Sequence, residues 1–153
     1  ALADTCSRIY VADQHKPVFF EGVELALETL KVQGHSIAVA TGKSRKGLNR
    51  QFDENDMHGY FHASRCADET KSKPHPLMLE EIMQELGFAP DQCVMVGDTS
   101  FDLEMAANAG MRSVGVSYGA HAIERLQPFK PLVIADHFDE VFEALLAAAP
   151  VEV

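Results

Sequence analysis

A chain of 153 residues, 46% hydrophobic and 24% charged, fits one compact globular domain and excludes a disordered segment, a collagen or a multi-domain array. Its net charge of −10 argues against non-specific binding to nucleic acid or to an anionic membrane, both of which need a basic patch, and means that any phosphate it holds must meet a local cation. No apolar run approaches the roughly 20 residues that span a bilayer, Ala1-Leu2-Ala3-Asp4 does not read as an export signal, and Cys6, Cys66 and Cys93 lack a CxxC spacing, so the expectation is a reduced, cytoplasmic protein.

In chain order, Leu2 to Asp13 looks helical, and Gln14-His15-Lys16-Pro17 is the one boundary, dividing 1–16 from a regular part over 17–153. Val23, Ala26, Leu27 and Leu30 then recur at helical spacing, followed by a buried strand over Ser36 to Ala40. After a further helix comes a short strand near Phe61 to Arg65, then a helix with Leu79, Ile82, Met83 and Leu86 on one side. Strands at Cys93 to Val96, Met111 to Val116 and Leu132 to Ala135 alternate with helices, the last carrying Phe138, Val141, Phe142, Leu145, Leu146 and Ala149. Gly34, Gly87 and Gly110 each stand just past a helix, where a left-handed residue is wanted, and Pro76 suits a first helical turn. Such βα alternation predicts an α/β fold: a doubly wound parallel sheet, Rossmann-like, with helices on both faces.

Ligands of open α/β sheets bind beyond the carboxyl ends of the strands. After Ile37-Ala38-Val39-Ala40 comes Thr41-Gly42-Lys43-Ser44, a hydroxyl, a flexible glycine and a helix start, which together can hold an anion. Taken alone, Ser44 as an N-cap after a tight turn is the plainer reading. Lys73 lies in Asp68-Glu69-Thr70-Lys71-Ser72-Lys73-Pro74-His75-Pro76, where two prolines restrict the backbone around it; a solvated loop lysine is the bland alternative. The most specific stretch is Val96-Gly97-Asp98-Thr99-Ser100-Phe101-Asp102, in which Asp98 and Asp102 sit four residues apart at a strand end and can face one point. Two hard oxygen ligands suit a Mg²⁺ that keeps several waters and is completed by substrate phosphate, although such an Asp can also merely cap a helix. The seven histidines are scattered without an HxH or HExxH grouping, which argues against a histidine metal site.

The order Thr-Gly, Lys-Pro and GDxxxD closely resembles motifs II, III and IV of the haloacid dehalogenase-like (HAD) hydrolases, over about Phe19 to Leu146. ATGKS, Asp68 five residues before Lys73-Pro74-His75-Pro76, and GDTSFDLEMAANAG look most like the phosphoglycolate phosphatase-like branch. The resemblance implies a Mg²⁺-dependent phosphomonoesterase of small phosphorylated metabolites. Thr41 and the Gly42 amide would bind the transferring phosphoryl group, Lys73 would neutralise its charge, Asp98 would bind Mg²⁺, and Asp102 would support that site directly or through water. A non-catalytic phosphate- or metal-binding module is the alternative. A phosphorelay receiver fits poorly, because there the acidic residues precede the lysine.

Family members open with hhhhDxDGT, whose first Asp attacks phosphorus and whose second is the acid/base. The nearest string, Ile9-Tyr10-Val11-Ala12-Asp13-Gln14-His15, has His15 in place of the second Asp and lacks Gly-Thr. Residues 1–16 therefore read as a remnant of a helical cap or as a replacement strand, and the chain as the carboxyl-terminal part of a longer protein, inactive alone. The expectation that follows is a sheet lacking its usual central first strand, open to filling by Ile9 to Ala12 or to self-association through the unfilled position.

Overall fold

In the computed structural model, residues 9–12, 28–29, 31–117 and 121–147 are described. Six strands, β1 (Ile9–Ala12), β2 (Ser36–Thr41), β3 (Ala63–Cys66), β4 (Cys93–Gly97), β5 (Arg112–Val116) and β6 (Ile134–Ala135), form one sheet in the order β3-β2-β1-β4-β5-β6. Every pairing is parallel. Five helices of this part are α1 (Arg45–Asn55), α2 (Leu77–Leu86), α3 (Ser100–Asn108), α4 (Ile123–Leu126) and α5 (Phe138–Ala147). Among the described residues no helix is long and apolar enough to cross a membrane.

The central position is filled by Ile9 to Ala12, the replacement strand that the sequence allowed, so the sheet does not lack its central strand. Ile9 faces Ser36 on one side and Cys93 on the other, and Ala12 faces Val39 and Val96. Ile9, Tyr10 and Val11 are β-branched or aromatic, and a slot between two parallel strands offers partners to their N–H and C=O groups on both sides. That satisfaction outweighs the helical reading of Leu2 to Asp13 at these four positions. Leu2 to Arg8, Asp13 to Leu27 and the boundary expected at Gln14 to Pro17 lie outside the described residues, as does most of the helix expected over Val23 to Leu30, of which Glu28 and Thr29 are helical.

Side chains along the strands alternate between two cores. Ala38, Ala40, Cys93 and Met95 face α2 and α3, packing with Met78, Leu79, Ile82, Met105 and Ala106. On the opposite face Ile37, Val94, Val114 and Ala135 meet Val141 of α5, while Val39 meets Leu48 and Phe52 of α1. Apolar side chains on both faces let helices cover both, the condition for an all-parallel sheet.

Helix ends follow local chemistry. The Ser44 side chain accepts from Gly47 N–H at 3.1 Å, as an N-cap does. Gly87 (φ 77°) and Gly110 (φ 74°) take the left-handed conformation that a β-carbon would disfavour, and Gly87 N–H donates to Met83 O at 2.8 Å. Two strands are shifted relative to the sequence reading. β3 starts at Ala63 because Phe61 packs instead against Phe52 and Tyr60, with ring centroids 5.8 and 5.3 Å apart. β6 is only two residues long, an edge strand whose approach already pairs, Leu132 N–H donating to Ser113 O at 2.8 Å.

Candidate active site at the carboxyl edge of the sheet

Thr41 is the last residue of β2 and Asp98 follows the last residue of β4, so both stand at the carboxyl edge, on either side of β1. Thr41 is 1% exposed, and its Oγ1 accepts from Lys43 N–H at 3.1 Å, which leaves its own O–H as a donor. Gly42 is exposed, and a β-carbon there would meet no atom within 4 Å. The start of α1 is less open to an outside anion than its sequence suggests. Arg45 N–H is taken by Asp68 Oδ1 at 3.0 Å and Gly47 N–H by Ser44 Oγ, so the chain's own acceptors occupy much of that end. The room for a ligand is at Thr41 and Gly42.

Asp68 and Glu69 thereby acquire a role that their sequence position did not disclose. The Arg45 guanidinium grips both oxygens of Glu69, at 3.1 and 2.7 Å, as well as Ser64 Oγ at 2.9 Å, tying the first turn of α1 to β3. The Arg45 hydrogen bond holds the Glu69 carboxyl below its ordinary range, and the same bond raises Arg45. Cys66, fully buried beside them, is pushed up to about 11, chiefly by burial. It is a packing residue rather than a nucleophile.

Lys73 reaches the same edge from the loop before α2. Its ammonium pairs with Asp102 Oδ1; the lysine side chain is 9% exposed and the aspartate 0%. Pro74 follows through a cis peptide bond, and Asn108 Nδ2 at the far end of α3 donates to Pro74 O at 3.0 Å. Lys73 is thus held at its head by Asp102, and the next residue, Pro74, is held at its carbonyl by Asn108, far from a solvated loop lysine.

The two aspartates of GDxxxD divide their work. Asp102 lies in the first turn of α3, where its Oδ2 accepts from Thr99 N–H at 3.2 Å and Thr99 Oγ1–H at 3.0 Å, while Asp102 N–H donates back to Thr99 Oγ1 at 3.2 Å. This reciprocal cap buries the carboxylate against the strand end. Gly97 permits it, since a β-carbon on Gly97 would stand 2.3 Å from Asp102 Cβ and 2.7 Å from Oδ2. With one oxygen on Lys73 and the other on Thr99, Asp102 is an anchor. Asp98 is half-buried, where Asp102 is fully buried.

A residue from a distant part of the chain completes the turn. His121 N–H donates to Asp98 O at 3.2 Å, and His121 Nδ1 accepts from Ser100 N–H at 2.9 Å. Its ring stands edge to face on Phe101, centroids 5.5 Å apart, and Phe101 itself is 47% exposed. His121 follows β5 at the same carboxyl edge, and that placement was the signal available in the sequence.

No group of three His, Cys, Asp or Glu side chains forms a ready cation cage among the described residues. Asp98 nonetheless suits Mg²⁺, a hard ion that retains several waters and takes one or two carboxylates, while Asp102 is engaged by Lys73 and Thr99.

Residues 2–116 match the family of haloacid dehalogenase-like hydrolases. The chain is 38% identical over 138 residues to the probable phosphatase IndB of Dickeya dadantii, covering 90% of this chain and 60% of that protein. It is 33% identical to the phosphoglycolate phosphatase of Salmonella typhimurium, covering 84% of this chain and 51% of that one. The crystal structure of a predicted phosphoglycolate phosphatase from Haemophilus somnus superposes with a TM-score of 0.74 at 29% identity, covering 81% of this chain and 56% of the other. The chain therefore spans little more than half the length of these relatives. A parallel sheet that gathers Thr41, Lys73 and Asp98 on one edge, together with these matches, shows that the chain belongs to the haloacid dehalogenase-like hydrolases and is phosphoglycolate phosphatase-like within them.

Proposed function

We propose that this chain carries the phosphate- and Mg²⁺-binding half of a phosphomonoester hydrolase acting on small phosphorylated metabolites in the cytoplasm, and that it turns over negligibly by itself. The observation that carries the reading is the buried Lys73–Asp102 pair at the edge where Thr41 and Asp98 also stand.

The buried Thr41 hydroxyl donates to a phosphoryl oxygen, and the open space over Gly42 lets the anion approach the backbone. Lys73, held by Asp102, presents its ammonium charge to the phosphate. Asp102 offsets part of the cost of burying the lysine and orients it before substrate arrives. Asp98 holds Mg²⁺, and Asp102 supports that site indirectly by fixing Lys73 and the turn. Mg²⁺, when bound, supplies charge neutralisation at the phosphoryl oxygens. In a complete enzyme an aspartate attacks phosphorus, the ester oxygen leaves with a proton from a second acid, and water then hydrolyses the aspartyl phosphate. Asp13 directly follows β1 but is followed by Gln14 and His15, without the second aspartate, and lies outside the described residues.

Thermal melts with Mg²⁺ and inorganic phosphate, beside phosphate release from phosphoglycolate, test both parts. Stabilisation that needs both ligands and is lost in Lys73→Ala and Asp98→Asn, with no turnover, is the expected result. Absence of stabilisation overturns the site. Turnover abolished by Asp13→Asn would make Asp13 the nucleophile; turnover unchanged by that substitution would place the nucleophile elsewhere. A chain that binds both ligands and stays inert even when supplied with a DxD-bearing first strand would be a non-catalytic binding module.

A further inference from the structure

The reading of Asp98 as the Mg²⁺ ligand leaves open what keeps Asp98 in place, and this inference rests on that reading. Asp102 is locked by Lys73 and by Thr99, and the Thr99 N–H it accepts belongs to the Asp98–Thr99 peptide, so the turn is held from the α3 side. Asp98 precedes the helix, at the junction between β4 and α3.

From the structure we infer that His121 is a positioning residue for Asp98, acting as a clamp across the Asp98–Ser100 turn. Its two hydrogen bonds bracket that turn. The backbone N–H of His121 donates to the Asp98 carbonyl at 3.2 Å, and its Nδ1 accepts the Ser100 N–H, one of the donors at the start of α3, at 2.9 Å. The turn after Asp98 is thereby held at two successive peptide groups, Asp98–Thr99 and Thr99–Ser100, by a single residue arriving 21 positions beyond Ser100. Phe101 packs edge to face on the ring and limits its rotation. Since Nδ1 accepts, the proton of the neutral ring sits on Nε2. The arrangement fixes a metal-binding side chain through the backbone that carries it. Groups outside the metal's own ligands commonly orient a ligand in this way, and losing one typically costs metal affinity 10- to 100-fold.

Removal of the ring is tested with Mg²⁺ alone, followed by the amide ¹⁵N and ¹H shifts of residues 98–101 in the full chain. His121→Ala is expected to weaken apparent Mg²⁺ affinity by roughly tenfold or more, the range seen for such outer partners. Hydrogen exchange at Ser100 N–H should speed up, while shifts of the remote β2–β3 region stay unchanged. His121→Asn, whose Oδ1 can stand where Nδ1 does, is expected to restore slow exchange at Ser100 and most of the affinity. Wild-type affinity in His121→Ala overturns the inference and leaves the Mg²⁺ reading intact. Loss of affinity with spectral change throughout the chain and no rescue by His121→Asn also overturns it, since His121 would then be a general packing residue. If wild type shows no Mg²⁺-dependent shift that Asp98→Asn removes, the reading of Asp98 fails and this inference fails with it.

Discussion

Lys73 and Asp102 form an ion pair across 29 residues of sequence, joining the loop before α2 to the first turn of α3 at a point where the aspartate has no solvent exposure. Each charge is tolerable because the other is there. Breaking such a pair by removing one partner leaves an uncompensated buried charge, a loss of about 3–5 kcal/mol.

Lys73→Met should therefore destabilise the fold by an amount in that range, measured by urea denaturation. Lys73→Met combined with Asp102→Asn should be less damaging than Lys73→Met alone, because a buried amide is far cheaper than a buried unpaired carboxylate. A double variant less stable than the single one would show that Asp102 matters for its Thr99 cap and not for its charge.

Gly97 and Gly42 ought to respond oppositely to the same substitution. Gly97→Ala forces a β-carbon within 2.3 Å of Asp102 Cβ, an atom that no rotamer change can move, so about 1–3 kcal/mol of stability or more should be lost. Gly42→Ala meets nothing and should leave stability within about 0.5 kcal/mol of wild type. If the anion approaches the backbone at Gly42, the second variant should instead lose phosphate-dependent stabilisation. Equal melting temperatures for the two variants would contradict the close packing of Asp102 on the strand.

Cys66 offers a test by pH and by chemistry. With its thiol pushed up to about 11 from an ordinary 9.0, the folded protein keeps the proton where the unfolded chain has released it. This contribution to stability is fully present below pH 9 and is lost as pH rises from about 9 toward 11. Peptide mapping after iodoacetamide at pH 8 should find Cys66 unmodified in the native protein and alkylated in denaturant. Rapid native labelling would mean that the thiol is neither buried nor protonated.

Much of this architecture could be read from sequence because its signals are local. The apolar runs at Ser36 to Ala40 and Cys93 to Val96, the glycines after the helices, and the Thr-Gly, Lys-Pro and GDxxxD strings each announce themselves within a dozen residues. Ile9 to Ala12 did not, since a four-residue apolar run has too few positions to separate a strand period from a helical one. Only pairing with both β2 and β4 decides it. The work of Asp102, the capping of α1 by Asp68 and the His121 clamp are contacts made across 21 to 29 residues of chain. Spacing brought the two aspartates to one helical turn, but which one faces outward depends on Lys73 arriving from elsewhere.

β1 carries none of Thr41, Lys73 or Asp98, yet it sets the width of the gap between the first and the last of them. Thr41 and Asp98 each lie two residues past the positions that flank Ala12, so two interstrand spacings, about 9.5 Å, separate their backbones. A tetrahedral anion with a hydroxyl on one flank and a hydrated ion on the other is of that calibre. Were β1 withdrawn and β2 brought against β4, the gap would shrink to a single spacing, about 4.8 Å, too narrow to admit the group. Four residues without a functional atom among those assigned here act as the spacer that keeps the jaws open.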